Sequence, residues 1–341
     1  MKGGCRSGWL YRRTLPERYA LRRLCKRRRV DGIGVAPSAG TGIVSGVEGM
    51  RPFVSFADAK TLVMTDVEAR FLTSVVPVLV RSKASMGVRF LGTAFCLAGF
   101  ANGHALYVTA RHVVDAFVHD IEDAEPMILL PRALTDEAAT RDMQGARIDQ
   151  VAMADTYSDV ALVRVDTTTT AVPMTSPLMP LQLALKEARI GETTMAIGYS
   201  RQEIDGPNYS RDLRASRGLI EEIHNHRRDS VVSTFPSFRT DGAYFSGMSG
   251  GPVIAERGGV VGVVSHGVVG CDDGEDGVGY AASIAGLLEL QLDLVTDSGE
   301  GRSFTVPELF AASGLQVTHE DGVTLKREAD GVRLSWQIET S

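Results

Sequence analysis

Long apolar runs are absent from this chain of 341 residues. With no stretch of roughly 18 or more apolar residues, no membrane-spanning helix is expected. The N-terminus starts basic but lacks the apolar segment that a secretory signal requires, so the chain is expected in the cytoplasm and not at a membrane. Cysteine is scarce: Cys5, Cys25, Cys96 and Cys271 are the four present, and no Cys-x-x-Cys pair occurs. The His224-x-His226 pair has no further ligand at a metal-binding spacing, so neither a metal nor a cofactor is expected.

Charge is strongly one-sided near the start. Residues 1–30 carry eleven Lys or Arg against Glu17, a local balance of +10, which leaves −16 for the remainder of a chain whose net charge is −6. Residues 1–49 therefore read as a basic leader, either disordered or lying upstream of a true start at Met50. A nucleic-acid arm is the lesser alternative.

What the chain does have is a hydrophobic content of 44%, enough for a substantial core, and 36 glycines, as in a turn-rich β protein. Its most informative stretch is Phe245-Ser246-Gly247-Met248-Ser249-Gly250-Gly251-Pro252-Val253-Ile254. Glycines around a serine allow backbone angles that other residues resist. The amides of Gly247 and Ser249 can then converge into an oxyanion hole, with Ser249 as the candidate nucleophile.

A serine hydroxyl needs a base and a group that orients the base. The run Leu106-Tyr107-Val108-Thr109-Ala110-Arg111-His112 sets an imidazole at the end of a strand, and Ser158-Asp159-Val160-Ala161-Leu162-Val163 sets a carboxylate at the start of another. His104, His119, His224, His226 and His319 read as surface residues, and Asp155 and Asp166 as turn formers. The order along the chain is His112, Asp159, Ser249, with separations of 47 and 90 positions.

These segments resemble the chymotrypsin-like (trypsin-fold) serine peptidases, whose motifs read Thr-Ala-x-His, Asp-hydrophobic-Ala-Leu and Gly-x-Ser-Gly-Gly-Pro. The subtilisin and α/β-hydrolase orders differ. Gly92-Thr93-Ala94-Phe95 is similar to the family's strand before the histidine, and Val261-Gly262-Val263-Val264-Ser265-His266-Gly267 to the strand lining its substrate cleft. The resemblance covers roughly residues 70 to 295 and implies acyl transfer with His112 as base, Asp159 as orienting carboxylate and Ser249 as nucleophile.

Substrate contacts are implied for Ala243, at the pocket floor, and for Ser265, His266 and Gly267. An apolar floor favours peptide or protein substrates cut after small or apolar residues. Secreted relatives bracket the histidine and serine loops with disulfides; here Val113 and Phe245 stand where cysteines would be expected, and Cys271 lacks its partner, pointing to a disulfide-free bacterial-type branch. Met248 occupies the place of the aspartate that pairs with a new N-terminus in trypsin-type activation, so processing of that kind is not expected. The acidic run 272–276 reads as a solvated turn. Other function classes are an inactive trypsin-fold protein that binds peptides, and a nucleic-acid binder using the basic arm.

The fold expected is all-β: two six-stranded antiparallel barrels of the chymotrypsin-like kind with a C-terminal helix and a short β-hairpin tail. The peptidase domain spans 50–295, with barrels at about 73–165 and 181–283, and an extension covers 296–341. Strands are expected at 75–80, 88–97, 106–110, 127–130, 146–153 and 160–165, then 189–198, 213–222, 230–235, 251–255, 260–265 and 279–283. The interval 131–145 reads as a surface loop or short helix, 167–180 as the inter-barrel linker, 284–294 as a helix, and 323–326 with 332–338 as a hairpin.

Overall fold

The computed structural model describes residues 61–63 and the span 74–336 apart from 83–86, 101–102, 120, 122, 132–142, 154–157, 171–177, 185–187, 201–203, 206–207, 210–212, 230, 270–276, 296–300, 314–322 and 329–330. The basic leader, the acidic run 272–276, Cys5, Cys25, Cys271, Asp155 and His319 lie outside the described residues.

After a three-residue strand β1 (Thr61–Val63), six strands form the first barrel: β2 (Val75–Ser82), β3 (Val88–Gly99), β4 (His104–Thr109), β5 (Ala124–Pro131), β6 (Met143–Met153) and β7 (Ala161–Asp166). They close in the order β2-β3-β4-β7-β6-β5, every neighbour antiparallel. Proline at position 77 is tolerated because pairing of β2 with β5 begins only at Val78, so the missing N–H interrupts no bond on that side. The strand expectations hold, and β5 and β6 run further into 131–145 than expected, to Pro131 and from Met143.

The second barrel is built from β8 (Thr193–Tyr199), β11 (Leu213–His224), β12 (Ser237–Thr240), β13 (Pro252–Ala255), β14 (Val260–Val269) and β15 (Gly277–Ser283), with a two-residue hairpin β9 (Ile204–Asp205) and β10 (Asn208–Tyr209) between the first two. Its ring runs β8-β11-β12-β15-β14-β13, closed by the β13–β8 pairing, and β1 adds to the flank of β11. The two barrels thus share one strand order although the sequence carries no evident repeat.

Two stretches differ from the sequence reading. The strand expected at 230–235 is displaced to Ser237–Thr240. The Asp229 carboxylate accepts from the N–H groups of Val231, Val232 and Ser233 at 2.8, 2.6 and 3.1 Å, and this turn withdraws those amides from any ladder. The helical spacing at 284–294 yields only a 3-10 helix, Ile284–Glu289, after which the chain becomes strand β16 (Gln291–Val295). Leu290 and Leu292 are buried while Gln291 and Asp293 are exposed, a period of two that belongs to a strand. Strand β16 pairs with β17 (Gly301–Thr305), and an α-helix follows at Val306–Ser313. The tail hairpin forms from β18 (Val323–Glu328) and β19 (Gly331–Trp336).

The barrels meet along a seam. Tyr199 at the end of β8 donates its backbone N–H to the Thr93 hydroxyl at 2.9 Å, and that hydroxyl donates to the Gly247 carbonyl at 2.9 Å. The Thr93 N–H donates to the Ser249 carbonyl at 2.8 Å. Thr93 is fully buried. Replacing it with valine keeps the shape but leaves the Tyr199 N–H and the Gly247 carbonyl, both of the second barrel, without their partner in the first. Thr93→Val is expected to lower the unfolding free energy by about 1–3 kcal/mol in urea denaturation; an unchanged stability would mean that apolar packing alone holds the seam.

Candidate active site

Pairing of β4 with β7 sets the first half of the site. The ladder ends at Thr109 opposite Ala161, and the same register carried two residues further places Arg111 opposite Asp159; the Arg111 N–H donates to the Asp159 carbonyl at 3.2 Å. His112 is not at a strand end but in the first turn of helix α1 (Arg111–Val118). Val113, Val114 and Phe117 are buried on one side of α1, a spacing that only a helix satisfies.

The His112 imidazole and the Asp159 carboxylate are in contact. Nδ1 lies 2.9 Å from Oδ2 and 3.1 Å from Oδ1, and the His112 backbone N–H donates to Oδ1 at 3.0 Å. A third donor comes from the other barrel, where the Ser265 hydroxyl donates to Oδ2 at 2.6 Å. The side chain of Asp159 is only 8% exposed, whereas that of His112 is 49% exposed. A buried carboxylate with these donors fixes the ring orientation and the Nδ1–H tautomer, leaving Nε2 as the basic nitrogen.

Burial pushes the His112 pKa down, but the hydrogen bond and negative charge of Asp159, with a contribution from Asp115, outweigh it, and the imidazole titrates above its ordinary value. Burial pushes the Asp159 carboxyl up; its hydrogen bond to His112, the His112 charge and the Ser265 hydroxyl outweigh this, and it stays below its ordinary value.

Ser249 lies in the turn before β13. Gly247 and Gly250 have φ of +98° and +89°, conformations that favour glycine. A Cβ on Gly250 would overlap the Thr93 carbonyl and the Thr109 hydroxyl, so the loop approaches the first barrel through bare backbone. Among the described residues, no acceptor is recorded for the N–H groups of Gly247 or Ser249. The Ser249 hydroxyl donates to the Ser265 carbonyl at 2.9 Å and not to His112. Met248 is fully buried, its backbone against Gly198 of β8.

Of the expected substrate contacts, Ser265 is the hub, bonded to Asp159 through its hydroxyl and to Ser249 through its carbonyl. The His266 ring stacks on Tyr280 at 4.7 Å and 14°, with Nδ1 3.2 Å from the Ser265 hydroxyl and Nε2 3.4 Å from that of Ser233. The Arg228 guanidinium covers the same Tyr280 ring at 4.3 Å. Burial lowers the His266 pKa, Arg228 and His112 adding to this against Asp159 and Asp229. Ala243 is 2% exposed and packs on Gly277.

Sequence reasoning missed the role of Thr93, the support that Ser265 gives Asp159, and Tyr244, which lies on Gly279. The glycine pair at 277 and 279 was the available signal for the last. Asp166 accepts from the Thr168 N–H at 2.9 Å, as a turn former does, and His119 is exposed beside Asp115. Cys96 is buried without a disulfide, and burial pushes its thiol up to about 12, which disfavours the thiolate.

A family model described as a trypsin-like peptidase domain matches residues 92–263. Among solved structures, the chain is similar to the active form of the Rv3671c protease from M. tuberculosis, with 20% identity over 75% of this chain and 91% of that chain and a TM-score of 0.43. It is also similar to the HtrA-type protease AlgW with a tripeptide, at 18% identity over 75% of this chain and 66% of that one, TM-score 0.43. A serine endoprotease from Yersinia pestis has 18% identity over 63% of this chain and 60% of that chain, TM-score 0.38. No curated protein sequence matches the chain.

The His112–Asp159 pair links site and stability. With its folded pKa raised, His112 contributes stability fully below about pH 6.5 and loses it as pH rises through the folded value. Asp159, with its folded pKa lowered, contributes above its ordinary value and loses that contribution as pH falls through the folded one. In NMR titration the His112 ring protons should show a midpoint above the ordinary imidazole value, and Asp159→Asn should bring it below. A midpoint insensitive to that substitution would mean the carboxylate does not charge-stabilise the ring.

Proposed function

Because the chain belongs to the trypsin-like peptidase family and is a serine protease, we propose that it hydrolyses peptide bonds through His112, Asp159 and Ser249 and an acyl-enzyme. The observation that carries this reading is the three-donor seat of Asp159, which holds the imidazole by Nδ1 beside the loop of Ser249.

Catalysis begins when the Ser249 hydroxyl leaves the Ser265 carbonyl and turns to Nε2 of His112. Such bonds are commonly made only with substrate present. Nε2 takes the hydroxyl proton as Oγ attacks the scissile carbonyl carbon, and the carbonyl oxygen gains negative charge. The N–H groups of Gly247 and Ser249 receive that charge, and Asp159 stabilises the imidazolium. His112 gives its proton to the leaving amine, whose C–N bond breaks. Water, deprotonated by the same nitrogen, then attacks the ester, and the proton returns to Oγ.

Proteins or peptides with a small or apolar residue before the scissile bond are the proposed substrates, since Ala243 offers no charge to a basic side chain. Met248, sunk against Gly198, cannot form the ion pair of trypsin-type zymogen activation. The loop is accordingly proposed to need no newly cut N-terminus. One observation favours an inactive peptide-binding protein instead, namely the Ser249 hydroxyl held on a carbonyl.

A fluorophosphonate separates these readings. Ser249 should be phosphonylated and Ser249→Ala should not, with hydrolysis abolished and the fold intact. Asp159→Asn is expected to reduce kcat by about 10⁴-fold, and combining it with Ser249→Ala should cost little more. Turnover surviving in clean Ser249→Ala, or losses that add, would overturn the triad.

A further inference from the structure

Beside Ser249 the sheet of the second barrel carries a bare patch. Gly267 of β14 and Gly279 of β15 are direct partners across the ladder, and Gly277 lies two residues away on the same face of β15. Two opposed glycines leave a recess in the side-chain layer wide enough for a large group. The recess adjoins the nucleophile from two directions: Gly267 is two residues after Ser265, whose carbonyl receives the Ser249 hydroxyl, and residues 243–246 lead into the serine turn.

The chain fills this recess itself. A Cβ on Gly279 would stand 2.6 Å from each of Cδ1, Cδ2 and Cε1 of Tyr244, so the phenol ring lies face-on over that glycine. A Cβ on Gly267 would overlap the Tyr244 carbonyl oxygen and stand 2.8 Å from its Cβ, so the two walls touch. Tyr244 is 3% exposed. Its hydroxyl lies near that of Thr240, yet neither oxygen has a hydrogen-bond partner among the described residues. What holds the side chain is therefore the fit of the ring on the glycines.

We infer that Tyr244 is the specificity-determining residue of this protease, occupying the space that a bulky substrate side chain before the scissile bond would need and restricting that position to residues of about alanine size. The inference rests on the serine-protease reading of the site and narrows its substrate class from small or apolar to small. Ala243, expected at the floor, is sealed against Gly277.

Two readouts test this. With peptides that differ only in Ala, Val, Leu or Phe before the scissile bond, the wild type should favour Ala over Phe in kcat/KM by about 100-fold. Tyr244→Ala should shrink that preference at least tenfold, with Tyr244→Val, which leaves a smaller hole, intermediate. Wild type that cuts after Phe or Leu as well as after Ala, or an unchanged ratio in a folded variant, overturns the inference. The second readout needs no turnover. Free p-cresol, the tyrosine side chain as a molecule, should raise the Tm of Tyr244→Ala and leave that of wild type unchanged. No shift in folded Tyr244→Ala also overturns it. A chain that hydrolyses nothing and resists fluorophosphonate, while its variant binds p-cresol, fails the protease reading and retains the filled recess.

Discussion

Thr93 joins the two barrels beside the serine loop. Its N–H and hydroxyl both donate to carbonyls of the serine loop, at Ser249 and Gly247, while the hydroxyl accepts the N–H of Tyr199. The Thr109 hydroxyl in turn donates to the Thr93 carbonyl at 2.7 Å, tying β3 to the strand that leads to His112. His112 and Ser249 therefore take their positions from adjacent strands of one sheet, although they come from different barrels. Gly250 and Gly92 are part of this constraint, because a Cβ on Gly92 would stand 2.7 Å from both the Ser249 carbonyl and Val113 of α1.

Polar groups radiate from this seam through Ser265. Its hydroxyl supports the Asp159 carboxylate and approaches His266, and its carbonyl holds the Ser249 hydroxyl. Because the hydroxyl proton goes to Asp159, the Ser265 oxygen is an acceptor towards His266, which sets Nδ1 of that ring as the donor. Nε2 is then the nitrogen that faces the Ser233 hydroxyl. The stack of His266 on Tyr280, capped by Arg228, holds this second imidazole in a fixed plane, and burial pulls its pKa down where Asp159, against burial, raises that of His112. Two imidazoles on one carboxylate network are thus shifted in opposite directions, one touching the carboxylate and the other reaching it only through a hydroxyl.

Much of this was legible in the sequence because its signals are local. Short apolar runs bounded by turns marked eleven of the twelve barrel strands, and His112, Asp159 and Ser249 each sit in a motif of a few residues. The misreadings have non-local or side-chain causes. Ile284, Leu287 and Leu288 do lie on a helical turn, but Leu292, read as its continuation, belongs to a strand that forms only because β16 pairs with β17, which the spacing does not reveal. The strand lost at 230–235 was lost to one carboxylate, Asp229, capping three amides. Tyr244 was passed over because its meaning depends on Gly267 and Gly279, which come together only once β14 and β15 pair.

The burial of Met248 shows how the serine loop can be ordered without a charge. In this chain the residue before Ser249 is fully buried and its backbone lies so close to Gly198 of β8 that a Cβ there would stand 2.9 Å from the Met248 Cα. Its thioether also accepts the Phe245 N–H at 3.4 Å, and the Met248 N–H returns to the Phe245 carbonyl at 3.0 Å, closing the turn that carries Gly247. Apolar burial involves no titrating group, whereas an ion pair in the same place would be lost when its members titrate. The order of the loop therefore rests on a contact that contains no titrating group, next to an imidazole whose pKa is raised.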